Sequence, residues 1–206
     1  MPKKRRSTGS RSCKKRIYIV CEGSDGKSEY AYFKGLLEDC RFTNDIEIKS
    51  TPTKKNSGKE LVRFASQLIE KEYKSIDEAW VVYDKDGYTK HSETFSEART
   101  KKVNIAFSSI SFETWILLHF EYTSRAFNNS DEIISCMKHK HKFIYEKKDN
   151  EIYSKIKDKT GDAISNSKKL AHYERTGSGG KPIYELNPYT DVYKLVELIL
   201  TYKQKV

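Results

Sequence analysis

Between residues 16 and 120 the chain alternates short β-branched or aromatic runs with longer segments that carry apolar residues at helical spacing. That alternation restricts the fold more than any other feature of its 206 residues. Residues 16–21 (RIYIVC), 46–51, 80–83 (WVVY) and 103–107 (VNIAF) read as strands, being short, apolar and closed by polar turns. Residues 28–39, with Tyr32, Phe33, Leu36 and Leu37, and residues 58–73, with Leu61, Phe64, Ala65, Leu68 and Ile69, read as amphipathic helices. A short helix is expected over 92–102 and a buried one over 112–120 (FETWILLHF). Strict alternation of this kind predicts an α/β fold: a four-stranded, mostly parallel, Rossmann-like sheet with helices on both faces and right-handed crossovers. After Glu121 the strand signal fades. Residues 131–141, 151–157, 163–173 and 190–203 have helical spacing, and 177–181 (GSGGK) is a loop by composition. The expected organisation is a basic arm over 1–15, a catalytic domain over 16–122 and a helical C-terminal extension over 123–206 packed on the same domain.

With 36% hydrophobic and 12% aromatic residues the chain can bury a core, so wholesale disorder is not expected. Its 39 Lys and Arg against 29 Asp and Glu leave a net charge of +10, which favours a polyanionic partner, most simply nucleic acid. The pairs Lys54-Lys55, Lys101-Lys102 and Lys168-Lys169, the stretch from Lys138 to Lys142, and 14 tyrosines supply the charge and stacking surface that such a partner uses. Cys13, Cys21, Cys40 and Cys136 show no CxxC pairing and read as reduced thiols of a cytoplasmic protein. No apolar run reaches membrane-spanning length, and the basic N-terminus lacks the apolar stretch of a signal peptide. Self-association is left open.

The third strand exits through Asp84-Lys85-Asp86-Gly87. Residues i and i+2 of an extended chain share a face, so Asp84 and Asp86 can converge on one point. Glu22 stands at the exit of the first strand. In doubly wound sheets strand one lies beside strand three, and ligands sit outside the carboxyl ends of the strands there. Glu22, Asp84 and Asp86 would then share a crevice, where three carboxylates repel one another unless a hard cation such as Mg2+ or Mn2+ offsets the charge. Glu22 is either a metal ligand or a general base. Glu113 lies in an otherwise apolar block, as an auxiliary acid of the same site or as a helix-start glutamate favoured by the dipole. Lys27, Lys54, Lys55 and Lys85 flank these strand ends as candidate phosphate contacts.

The pairing of strand-Glu22-Gly23 with strand-Asp84-Lys85-Asp86 resembles the Toprim domain of primases, topoisomerases and OLD-type nucleases. Val20-Cys21-Glu22-Gly23, Tyr83-Asp84-Lys85-Asp86-Gly87, the block from Ser111 to Phe120 and Asn187-Pro188-Tyr189-Thr190 together resemble the RloB-like family of bacterial defence proteins. The family pattern has a Thr and Glu soon after Glu-Gly. Here Ser28-Glu29 fill that place after a slightly longer turn. The resemblance implies a Toprim-like, Mg2+-dependent nuclease, with Glu22, Asp84, Asp86 and Glu113 as its acids, working in phage defence with an ABC-type, SMC-like ATPase.

Two rival readings use the same strand ends. Residues 21–28 (CEGSDGKS) approach a P-loop, which would make the chain an NTPase or kinase using Lys27 and Asp84, but Cys21 replaces the first glycine and Glu22 and Asp25 would put negative charge in an anion cradle. The other is a non-catalytic nucleotide or nucleic-acid sensor on the same fold. Cys136, His139 and His141 lack a second ligand pair for zinc and read as surface. His119, on an apolar helix, reads as a hydrogen-bonded core histidine.

Overall fold

In the computed structural model, which describes residues 15–22, 27–43, 46–55, 57–72, 77–85 and 89–204, the first strand is the centre of construction. Strand β1 (Lys15–Cys21) is buried through its last five residues, and its two faces feed two separate cores. Ile17, Ile19 and Cys21 point into one, Tyr18 and Val20 into the other, as a period of two requires. It pairs in parallel with β2 (Ile46–Pro52) on one side and β3 (Glu78–Asp84) on the other, and β3 pairs in parallel with β4 (Asn104–Ser109). A strand apolar on both faces belongs inside a parallel sheet covered by helices, and that is its position.

The sheet has five strands in the order β2-β1-β3-β4-β5, not the four that the sequence suggests. The fifth, β5 (Tyr189–Thr190), is antiparallel and pairs Tyr189 with Ser109 and Thr190 with Ser108. Two residues are too few to show a period, and the preceding proline masks the run further. Side chains complete the join: Ser108 and Thr190 hydroxyls are 2.9 Å apart, and the buried Asp191 carboxylate accepts the Phe107 N–H at 2.7 Å and faces Lys194 at 3.0 Å. The residues after 122 thus supply a sheet strand as well as helices.

Helix α1 (Ser28–Asp39) lies on the first core face, with α4 (Glu113–Leu117), α5 (Ser130–His141), α6 (Ile152–Ile156) and α8 (Val192–Thr201). Helices α2 (Gly58–Glu72) and α3 (His91–Lys101) cover the other face. Helix α7 (Thr160–Gly177) places Ala163 in the first core and Ala171 in the second. The apolar block 112–120 forms only five α-helical residues. It then tightens, with His119 and Phe120 donating to the carbonyls three residues back. Helix α7 runs further than the apolar spacing indicates and stops where Gly179 (φ 61°) and Gly180 (φ 87°) adopt left-handed backbone without a Cβ penalty. Among the described residues no helix is long and apolar enough to cross a membrane. The basic arm 1–15 lies, apart from Lys15, outside the described residues.

Candidate active site

Because β1 and β3 are neighbours and parallel, their carboxyl ends open side by side. The Glu22 N–H continues the ladder past the end of β1, donating to the Val82 carbonyl at 3.1 Å. Asp84 is the last residue of β3, and the next N–H, from Lys85, donates to Ser108 of β4 at 3.0 Å. Both acids are therefore fixed by sheet hydrogen bonds at the strand-order reversal, where open α/β sheets bind ligands. Asp84 also holds the entry to α4, where its Oδ2 accepts the Phe112 N–H at 3.2 Å.

A cavity of about 680 Å³ opens at this point, lined by Glu22, Glu29, Asp84 and Glu113 together with Lys27, Lys85, Lys147 and Lys148. Four expected acids reduce to three here: Glu22, Asp84 and Glu113 share the cavity, whereas Asp86 lies outside the described residues. Of the four expected lysines, Lys27 and Lys85 are on its wall. Lys54 and Lys55 follow β2, one strand beyond β1, and do not line it.

Glu113 is 5% exposed, and its Oε1 accepts the Tyr145 hydroxyl at 3.0 Å. The Tyr145 oxygen in turn lies within hydrogen-bonding distance of Ser28 Oγ, which also reaches the Lys147 carbonyl at 3.0 Å. One short chain of hydroxyls thus ties the first residue of α1, the segment before Lys147 and the first residue of α4. It provides a partner for a carboxylate that would be costly to bury alone. Burial, and Glu113 beside it, hold the Tyr145 hydroxyl well above the usual phenol range, so it stays a donor.

Glu29, in the first turn of α1, has its pKa pushed up to about 7, chiefly by burial and further by the negative charges of Glu113 and Glu22. A folded-state pKa above the unfolded one means that the native state binds more protons between the two values. The associated stability is therefore present below about pH 4.5 and lost as pH rises through about 7. Glu29→Gln removes this dependence. In metal-free thermal melts the variant should gain on the parent as pH rises to 8, by on the order of 2–3 kcal/mol, and show no gain at pH 4. An advantage that does not change with pH would remove Glu29 from the charged cluster.

The opposite wall comes from residues that were not expected at the site, although Asn187 belongs to one of the blocks that carry the family resemblance. Asn187 clamps Phe127 in both directions, its Oδ1 accepting the Phe127 N–H at 3.2 Å and its Nδ2 donating to the Phe127 carbonyl at 2.8 Å. Asn129 caps α5 by accepting the Glu132 N–H at 3.0 Å, and Lys147 donates to Ser130 Oγ at 3.0 Å. Glu29 carried a local signal, as an acid in the first helical turn after Glu-Gly, and Asn187 one through its family-like block. The wall residues converge through tertiary contacts alone.

Other candidates have ordinary roles. His119 is buried, its Nδ1 donating to the Trp115 carbonyl at 3.0 Å while Nε2 faces the Tyr32 hydroxyl at 3.5 Å. Burial lowers its pKa to about 4, so it stays neutral. The buried Cys21 thiol contacts Ser50 at 3.8 Å and is held above the usual thiol range by burial. Cys136 Sγ and His141 Nε2 both face Glu121, at 3.6 and 3.5 Å.

The carboxylate set fits a hard divalent cation in donor type. Burial raises Glu29 first, and the neighbouring charges of Glu113 and Glu22 add to it. Among the described residues no group of three or more His, Cys, Asp or Glu side chains is placed to hold a metal ion, and the expected third ligand, Asp86, is outside them. Compared with known proteins, the family model described as RloB-like protein matches residues 17–199. No curated protein and no solved structure matches the chain.

Proposed function

The chain belongs to the RloB-like protein family, and from that premise we propose that it is a divalent-metal-dependent nuclease with a Toprim-like catalytic sheet, hydrolysing phosphodiesters of DNA or RNA. The observation that carries this reading is the meeting of Glu22, Glu29, Asp84 and Glu113, from three separate parts of the chain, in one lysine-rimmed cavity at the β1/β3 reversal. A phosphodiester brings negative charge to a place already rich in it. That is workable only where a cation stands between the two, with lysines around the rim for the flanking phosphates.

Glu22 and Asp84, with Asp86, are the residues that would hold Mg2+ or Mn2+. Bound there, such an ion would supply Lewis acidity, polarising a phosphoryl oxygen and lowering the pKa of water so that its deprotonated form is available near neutral pH. Glu113, kept in place by Tyr145, would act as an auxiliary acid that orients the nucleophilic water. Glu29, with a pKa of about 7, has the affinity for moving a proton at neutral pH, accepting one from the attacking water or returning one to the leaving oxygen. Lys27 and Lys85 would hold the phosphate beside the acids, and Lys54 and Lys55 would reach the strand further out. The family resemblance supports the wider setting: an effector of bacterial phage defence acting with an ABC-type, SMC-like ATPase.

The test uses the full chain with end-labelled DNA and RNA, with Mg2+ or Mn2+, and with EDTA. Metal-dependent cleavage supports the reading. Nucleotide hydrolysis lost in Lys27→Ala would instead favour a phosphate-loop enzyme. Binding without turnover, surviving Asp84→Asn and unaltered by added ATPase partner, would favour a sensor.

A further inference from the structure

The cleft does not end at its own wall. Asn128 lines it and also lines a second depression, formed with Arg125, Glu132, His139 and Lys140 along the side of α5. The two hollows therefore adjoin through one residue. The second one is edged by the most basic stretch of the described chain. Residues 138–148 carry Lys138, Lys140, Lys142, Lys147 and Lys148, with Glu146 as the one acid among them. Lys138, His139, Lys140, Lys142, Lys147 and Lys148 are all exposed. Lys147 is anchored on Ser130 at the start of α5, and Arg125 packs its guanidinium over the Phe127 ring at 4.6 Å, which holds it at the junction. Lys140 already faces Glu121, and Glu132 bonds to Asn128, so Arg125 and Lys140 are offset locally and the positive excess comes from the exposed Lys138, Lys142, Lys147 and Lys148 beside them.

The cavity is also the wrong size for a duplex. At about 680 Å³ it falls within the ~300–1,000 Å³ that holds a small ligand, room for a nucleotide or two. Glu113 is recessed at 5% exposed, and Glu22, Glu29 and Asp84 are half-buried beside it, whereas duplex phosphates lie on the outside of a cylinder wider than its own ~12 Å major groove. A strand that can bend and splay its bases reaches such a floor; a paired one does not.

We infer that the substrate is single-stranded nucleic acid, with the scissile phosphate in the acid cleft and the flanking strand running over Asn128 along the basic side of α5, its phosphates met by Arg125 and Lys140. This rests on the nuclease reading and names the substrate form for that site.

Binding separates the two. Fluorescence anisotropy in EDTA compares a labelled 15-nucleotide single strand, DNA and RNA, with a duplex of the same length. Partners are the full chain, an Arg125→Ala/Lys140→Ala variant, and an Arg63→Ala/Arg99→Ala control on α2 and α3, which pack on the opposite face of the sheet. The parent should prefer the single strand at least ten-fold. The Arg125/Lys140 variant should bind it at least ten-fold more weakly, with a salt slope smaller by about 1.4, two phosphate contacts at ~0.7 each. The control should stay within two-fold. A single nucleotide, which occupies only the acid cleft, should bind the parent and the variant alike. Thermal melts of all three proteins establish that they are folded, and Lys140→Gln alone serves if the double variant is not. Equal affinity for duplex, or an unchanged slope in a folded variant, overturns the track while leaving metal-dependent cleavage standing. No binding by the parent to any strand overturns both.

Discussion

Asp84→Asn should reduce metal-dependent strand cleavage by about 10³-fold or more while leaving the protein nearly as stable as before. The substitution takes one negative charge from the place where the cation and the developing phosphoryl charge must be held. Losing roughly 4 kcal/mol of such stabilisation corresponds to about three powers of ten in rate. The side chain keeps its shape and one carbonyl oxygen, and that oxygen can still accept the Phe112 N–H that Asp84 Oδ2 accepts now at 3.2 Å. Asp84→Ala would remove both functions, so the asparagine variant is the cleaner test. Cleavage rates at saturating Mg2+, with unfolding midpoints measured beside them, check the expectation. Activity within ten-fold of the parent in a folded variant would remove Asp84 from the chemistry.

Trp115→Ala should produce the largest loss of stability. Trp115 has no exposed surface, and its ring meets Tyr32 edge-on at 6.0 Å and His119 at 4.9 Å. Tyr32 is a hub in turn, with Phe33, Phe112 and Tyr153 all at edge contacts. Removing an indole from the centre of this aromatic group leaves a void that the β1 side of the sheet and α1 cannot close without moving. The expected cost is about 3–5 kcal/mol. For a chain of this length that lowers the melting midpoint by roughly 6–20 °C. Denaturant titration measures it, and a loss under 1 kcal/mol would mean that the site collapses around the deletion. Since Trp115 is two residues from Glu113 on the same helix, activity should fall as well, in a part that stabilising conditions restore.

What could be read in advance from the amino acids divides along physical lines. The runs RIYIVC and WVVY are apolar on both faces, a pattern that central parallel strands impose, so β1 and β3 and their adjacency were legible. Given that adjacency, Glu22 and Asp84 follow, because a residue just past a strand end has few places to go. Glu113 was legible as an acid in an apolar block, though not its partner: Tyr145 is 32 positions away and nothing local marks it. Asn187 stood out within a family-like block, but its partner did not, because the clamp on Phe127 spans 60 positions. Strand β5 escaped for another reason, because two residues pair through their surroundings and not through a pattern of their own. The 112–120 block was overextended as a helix because uniform apolarity carries no information on where the helical hydrogen bonding tightens.

The clamp made by Asn187 and the pairing of Tyr189 and Thr190 with β4 have a consequence for the order of events during synthesis. The carboxylates at the sheet end are all encoded before residue 114, whereas the piece that braces the facing wall is made more than 70 residues later, from Asn187 onward. A nascent chain can thus assemble its acids early yet have nothing rigid to press a polynucleotide against them. Chains released at residue 185 should fail to retain the strands that the finished protein holds; retention by the shortened form would show that the brace is dispensable. For a molecule proposed to cut nucleic acid inside its own host, competence would then wait until the segment from Asn187 to Thr190 has been made.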